Sequence, residues 1–280
     1  MKPFANSEVG RLQDVLLCTI ENFALHLPIN QMQEHYYSVD PPRLEILLEQ
    51  QLAFAAMLQQ HNVRVHWAEP QPTSPLQFFT RDVAVAIADK LVVGAMAKHI
   101  RAQERDSLQS LLISLDNPPL YVSEGVVEGG DVILDGSIIY VGLSERTDRH
   151  GFMWVRKTFS TAFDILELEM NPGYIHLDTV LNLIGGNKAL VYRPAFSALT
   201  LVKLEQKYEM IPVTAEEQFR LATNVLSLSP HTIVSDRQNV RINDVLRQDG
   251  FEVIDVDFSE IVKIGGGFRC ATCPLVRDAL

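Results

Sequence analysis

The sequence predicts an α/β fold: a propeller of five ββαβ units with pseudo-fivefold symmetry, in one domain spanning residues 1–280. Three observations carry that prediction. Short apolar runs come in pairs joined by tight-turn residues, and each pair is followed by a helix-like stretch and then another apolar run. The pattern recurs at roughly 45–50 residues, a period in the range of propeller and solenoid repeats. A fifth unit is split between the two ends of the chain, which makes a closed ring more natural than an open stack. An open doubly wound sheet would also alternate strands with helices. It joins parallel strands through helices, however, and leaves the repeated hairpins unexplained.

The first hairpin pairs 83–88 with 91–96 across Asp89-Lys90, and the second pairs 132–134 with 138–143 across Asp135-Gly136, a strong hairpin dipeptide. The third pairs 180–184 with 189–192 across Gly185-Gly186-Asn187-Lys188, and the fourth pairs 225–228 with 232–235 across Ser229-Pro230-His231. Helices are expected over 97–114, 151–162, 195–208 and 237–248, and closing strands over 119–123, 165–169, 210–213 and 251–256. In the split unit, 270–276 pairs with 12–20, followed by a helix over 42–62 and a strand over 63–68. That helix carries Leu44, Leu47, Leu48, Leu52, Ala55 and Leu58 on one face, as an amphipathic helix should.

Bulk properties narrow the function classes. Hydrophobic content of 47% with 21% charged residues fits an ordinary globular protein, and 280 residues are enough for a substantial core. A net charge of -11 disfavours nucleic-acid or anionic-membrane partners, which would want a basic patch. Three cysteines without framework spacing point to a reducing compartment. The first residues lack the apolar core of a signal peptide, so a cytoplasmic location is the expectation.

The chemistry collects at one phase of the repeat. Asp82, Asp131, Asp178, Asn224 and Cys270 each stand where a unit's first strand opens, at successive separations of 49, 47, 46 and 46 residues. Around one axis, these side chains would face each other at one end, with Glu128 and His176 close by. Each has a plainer explanation alone: an aspartate at a strand start is often a turn residue, and a lone histidine is more often structural. The Gly265-Gly266-Gly267 run lacks the Lys-Ser/Thr of a phosphate loop. Cys270 and Cys273 have the spacing of a redox pair but sit before Pro274 rather than opening a helix, and no second CxxC exists to make a zinc site. What the separate explanations miss is the shared phase.

Carboxylates around a thiol raise its pKa. A cationic substrate reverses that, and a guanidinium offers five N–H donors in a planar fork that carboxylates accept bidentately. A small cationic guanidino compound is therefore the expected partner, with His176 able to move protons near neutrality.

The motifs FTRD at 79–82, EGGDV at 128–132, GLSERT at 142–147, HLDT at 176–179 and GGGFRCATCPL at 265–275 resemble the amidinotransferase, arginine deiminase and dimethylarginine dimethylaminohydrolase superfamily, the pentein fold. The resemblance implies Cys270 as nucleophile, His176 as general acid/base and Glu128 as the carboxylate assisting it. It further implies Asp82 and Asp178 as the guanidinium-binding pair, with Phe79 beside them. Arg146 resembles the arginine that holds a substrate α-carboxylate. Arg101 is a second candidate for that role, the alternative being an exposed helical residue paired with Glu104. No metal or organic cofactor is implied, and a homodimer is compatible with it.

The implied reaction is C–N hydrolysis through an S-alkylthiouronium on Cys270, releasing ammonia and a ureido product as in arginine deiminases. The alternatives are dimethylarginine hydrolysis, amidino transfer, and non-catalytic binding of a guanidino metabolite. Arg81-Asp82 with His176-Leu177-Asp178 looks like the deiminase pattern, since the dimethylarginine enzymes tend to carry a lysine where Asp178 stands. The compact length instead matches the dimethylarginine enzymes. Residues 21–40 form a long polar segment expected to cover the site as a lid, the alternative being a plain surface connection.

Overall fold

The structure, a computed structural model, describes residues 1–280. Its strands are β1 (Leu12–Cys18), β2 (Arg64–Ala68), β3 (Ala84–Ile87), β4 (Lys90–Val93), β5 (Leu120–Tyr121), β6 (Val132–Asp135), β7 (Ile138–Leu143), β8 (Asp164–Glu169), β9 (Leu181–Gly185), β10 (Lys188–Val191), β11 (Glu209–Pro212), β12 (Leu226–Ser229), β13 (Thr232–Asp236), β14 (Glu252–Val256) and β15 (Cys273–Arg277). They form five three-stranded sheets: β15-β1-β2, β3-β4-β5, β6-β7-β8, β9-β10-β11 and β12-β13-β14. In every sheet the first pair is antiparallel and the second parallel. This is the five-bladed α/β propeller the repeat predicts.

Four of the antiparallel pairs are hairpins closed by two residues. At Gly186-Asn187 both turn residues have positive φ, +58° and +55°, the conformation that matches the right-handed twist of the flanking strands. The fifth pair, β15 with β1, has no turn, because it joins the two ends of the chain. Apolar seams then close the ring. One cluster joins the β1, β3–β4 and β6–β7 blades, with Leu16, Val85, Val92, Leu134 and Val141 among its residues. Others join β6–β7 to β9–β10, β9–β10 to β12–β13, and β12–β13 back to β1. The helix Leu44–Gln60 buries Leu47, Phe54 and Leu58 against the last of these.

Several expected elements differ. The helix expected over 97–114 is a 3₁₀ helix, His99–Leu108, continued by a short α-helix, Gln109–Ile113. Its buried residues Arg101, Glu104 and Ser107 recur every three positions, which is the 3₁₀ period and not the α one. The helix expected over 195–208 begins only at Ala198, because a separate 3₁₀ turn, Arg193–Ala195, runs out into extended backbone at Phe196 and the Ser197 hydroxyl then caps the helix by accepting from Thr200 N. Residues 21–40, read as a loop, contain the helix Gln31–Val39, capped by Asn30 and burying only Met32 and Gln33. With so few inward residues it leaves no apolar period to detect. No helix is long and apolar enough to cross a membrane.

Candidate active site

The five phased residues sit in the short turn that leads into each first strand, just before its opening position. In the first two units the turn closes by N–H to C=O bonds three residues back, from Asp82 to Phe79 and from Asp131 to Glu128; Asn224 bonds to Leu221 in the same way. Such a turn satisfies its own backbone and so lets a polar side chain be buried at the blade's end. All five residues are buried, Cys270 to 3% exposure. Asp82, His176 and Cys270 line one cavity together with Phe79, Arg101 and Arg146. The Phe79 ring packs so close to the glycine run that a Cβ at Gly266 would fall 2.3 Å from it.

On one side of the cavity is an imidazole among carboxylates. His176 Nε2 lies 2.8 Å from Glu128 Oε2, and its Nδ1 lies 3.6 Å from Asp82 Oδ1. Glu128 is steadied by the Ala97 N–H at 2.9 Å and by Arg146 Nη1 at 3.5 Å. Burial works against the imidazolium, but the Asp82 charge and the Glu128 hydrogen bond outweigh it and raise the His176 pKa. Glu128 moves the other way: burial opposes its charge, while His176, Arg101 and Arg146 hold its pKa low. This pair carries a proton at neutral pH.

On the other side is the thiol. Cys270 Sγ lies 4.0 Å from each oxygen of Asp178. Burial, then the charges of Asp178 and Asp82, push its pKa well above the ordinary thiol value. Cys270 is therefore a neutral thiol beside a charged imidazole. Cys273 is a free, buried thiol that contacts the Ala84 carbonyl and lies outside the cavity.

Arg101 is not an exposed helical residue. It is 3% exposed, grips Glu104 through Nε and Nη2 at 2.9 and 2.8 Å, and places Nη1 2.6 Å from Asp82 Oδ2. Its guanidinium thus already occupies one oxygen of Asp82. The other, Oδ1, is buried with no hydrogen-bond partner. Asp82, Glu128 and His176 offer ligand atoms within 4.8 Å of one another, but Arg101 supplies the cation they face. Asp131 lies outside the cavity and orients its wall, accepting from Leu177 N at 2.8 Å and from the Ser144 hydroxyl at 2.7 Å.

Part of the segment 21–40 forms one side of the cavity. Ile29, Asn30 and Gln33 line it. Gln33 is fully buried; its amide donates to Ile264 O at 2.8 Å and accepts from Ile29 N at 2.9 Å. Arg146 Nη2 donates to the Ile29 carbonyl at 3.1 Å. Only about 20 Å³ of this cavity is open, room for about one water. Arg146 also borders an outer cavity of about 360 Å³.

The sequence reading left several of these residues out. Ile29, Asn30, Gln33 and Glu8 carry no local motif, Arg269 stood inside the motif at 265–275 without a role of its own, and Glu104 was named only as a surface partner of Arg101. Asn224 shared the phase of the site but received no role.

A five-bladed α/β propeller that gathers a thiol and several carboxylates at one end of the ring places the chain in the pentein superfamily, whose members modify guanidino groups. Within it, a family model described as N,N dimethylarginine dimethylhydrolase, eukaryotic, matches residues 23–277, and the chain belongs to that family. It is 34% identical over 276 residues to the uncharacterized protein YkgA of Bacillus subtilis, covering 99% of this chain and 96% of the relative. It is 26% identical over 330 residues to the arginine deiminase of Mycobacterium marinum, covering 98% and 81%. Its fold is similar to SxtG, an amidinotransferase from Microseira wollei, at a TM-score of 0.84 and 18% identity, covering 99% and 98% of the two chains.

Proposed function

We propose that the protein hydrolyses the guanidinium group of arginine or a closely related free guanidino compound, releasing ammonia, through a covalent intermediate on Cys270. One observation supports this above the rest: a neutral thiol, a charged imidazole–carboxylate pair and an Asp82 Oδ1 with no hydrogen bond of its own meet around one small cavity. A substrate guanidinium would supply N–H donors to Asp82 and Asp178, and its positive charge would favour the thiolate that the carboxylates otherwise suppress. The thiol proton leaves to solvent as the cation binds. Cys270 then attacks the central carbon while His176 gives its proton to the departing nitrogen, so that a C–S bond forms and a C–N bond breaks. Neutral His176 next takes a proton from water, whose oxygen attacks the thiouronium carbon. The C–S bond breaks, the hydroxyl proton passes to the leaving sulfur, and the ureido product departs.

Admission requires residues 21–40 to swing away, since the closed cavity is too small for a guanidinium. The same movement takes the Ile29 carbonyl off Arg146 and frees a donor for a substrate carboxylate at the outer cavity. Arg101, committed to Glu104 and Asp82, is the weaker candidate for that anchor.

Dimethylarginine is the second reading, and the family match favours it. Against it stands Asp178, whose acceptor oxygens beside the thiol want N–H donors. A dimethylated nitrogen has none, and a buried acceptor left unpaired costs about 1–3 kcal/mol. Incubation of the purified protein with arginine, dimethylarginine, agmatine and guanidino acids is expected to yield ammonia and a ureido product from arginine, and dimethylamine from dimethylarginine at a rate at least tenfold lower. Dimethylamine as the dominant product would replace the first reading with the second.

A further inference from the structure

Behind Cys270 runs a buried ionic chain that begins at the N-terminal arm. Residues 4–8 are stitched to three blades: Phe4 bonds to Leu275 and Arg277, Ala5 to Ala88, and Glu8 N to Leu134 O. Glu8 Oε1 accepts from Leu134 N at 3.1 Å, and its Oε2 receives Arg269 Nη1. Arg269 is fully buried. Its Nη2 donates to Val132 O at 2.7 Å, and its Nε lies 3.2 Å from Asp178 Oδ2. Asn224 bridges Asp178 and Cys270 through the backbone: its amide donates to Asp178 O at 3.2 Å and accepts from Cys270 N at 3.0 Å.

We propose that Arg269 is a positioning residue of the reaction, fixed by Glu8 and Val132 so that it holds Asp178 as a charged acceptor beside the thiol, with Asn224 setting the spacing between Asp178 and Cys270. The proposal rests on the hydrolase reading for its substrate. A carboxylate as buried as Asp178 tends toward its protonated form, and the nearest opposing charge is that of Arg269. Arg81 and His176 act in the same direction, Asp82 against it, and the Cys270 thiol faces it. Arg269 itself faces Glu8, Asp178 and Cys270, with Arg81 and Arg277 in the same cluster. A protonated Asp178 would lose both its charge and an acceptor for the guanidinium.

In Arg269→Gln the Asp178 pKa rises, so the acid limb of kcat/KM moves to higher pH. KM for arginine rises about tenfold or more, the loss expected for one charge-assisted hydrogen bond, while kcat at high pH changes less. Arg269→Lys restores the limb in part. Glu8→Gln loosens the anchor that fixes Arg269 and moves the limb the same way by less, with Val132 O still holding the guanidinium. An assay without substrate runs alongside: the pH dependence of Cys270 alkylation by iodoacetamide, read by mass spectrometry. Arg269 also lowers the Cys270 pKa, so Arg269→Gln shifts that curve to higher pH. Should Arg269→Gln fail to fold, the lysine and Glu8 variants carry the test. Folded variants with unmoved KM, acid limb and alkylation curve would overturn the proposal. A wild-type protein that turns over no guanidino compound would instead overturn the hydrolase reading and leave the alkylation arm to judge Arg269.

Discussion

The two walls of the cavity share one negative field and respond to it in opposite ways. On the His176 wall, Asp82 and Glu128 make the imidazole hold its proton. On the Cys270 wall, Asp178 and Asp82 make the thiol hold its own. Under the proposed hydrolysis, the histidine would be a charged general acid, ready for a leaving amine, and the cysteine a resting nucleophile. On that reading the two walls differ because the site is armed on one side only, and a substrate cation placed between them would release the thiolate.

Asp82 belongs to both walls, so its removal is the sharpest way to break the comparison. In Asp82→Asn both pKa values fall. The alkaline limb of the rate, which reflects loss of the His176 proton, moves to lower pH, and Cys270 alkylation begins at lower pH. Substrate loses a charged hydrogen bond, which lowers kcat/KM roughly 10- to 150-fold. A variant in which the two pKa values moved in opposite directions would show that the walls do not share a field.

A smaller effect is expected at the segment 21–40. Gln33→Ala removes the link between Ile29 and Ile264. If residues 21–40 close over bound substrate, KM should rise several-fold, with kcat changed less, the cost of about one hydrogen bond. Steady-state kinetics with arginine decides it; unchanged constants would make the segment a fixed part of the wall.

How much of this the sequence revealed depends on the range of the interactions. Hairpins written in adjacent residues, such as that at Asp135-Gly136, were legible, and so was the common phase of Asp82, Asp131, Asp178 and Cys270. The pairing of Arg101 with Glu104 was legible too, but not its burial, nor the contact with Asp82 nineteen positions earlier. Glu8 and Arg269 meet across 261 positions, and no periodicity encodes that. Gln33 was hidden for another reason: its helix turns only two residues inward, and its function lies in a single buried amide.

Covalent catalysis at Cys270 is the central claim, and acid quenching of the enzyme during turnover of arginine, followed by peptide mass spectrometry, tests it most directly. The account predicts a thiouronium adduct on Cys270 alone, forming and decaying at rates consistent with kcat, and neither adduct nor ammonia from Cys270→Ala. Ammonia release that survives Cys270→Ala would contradict it.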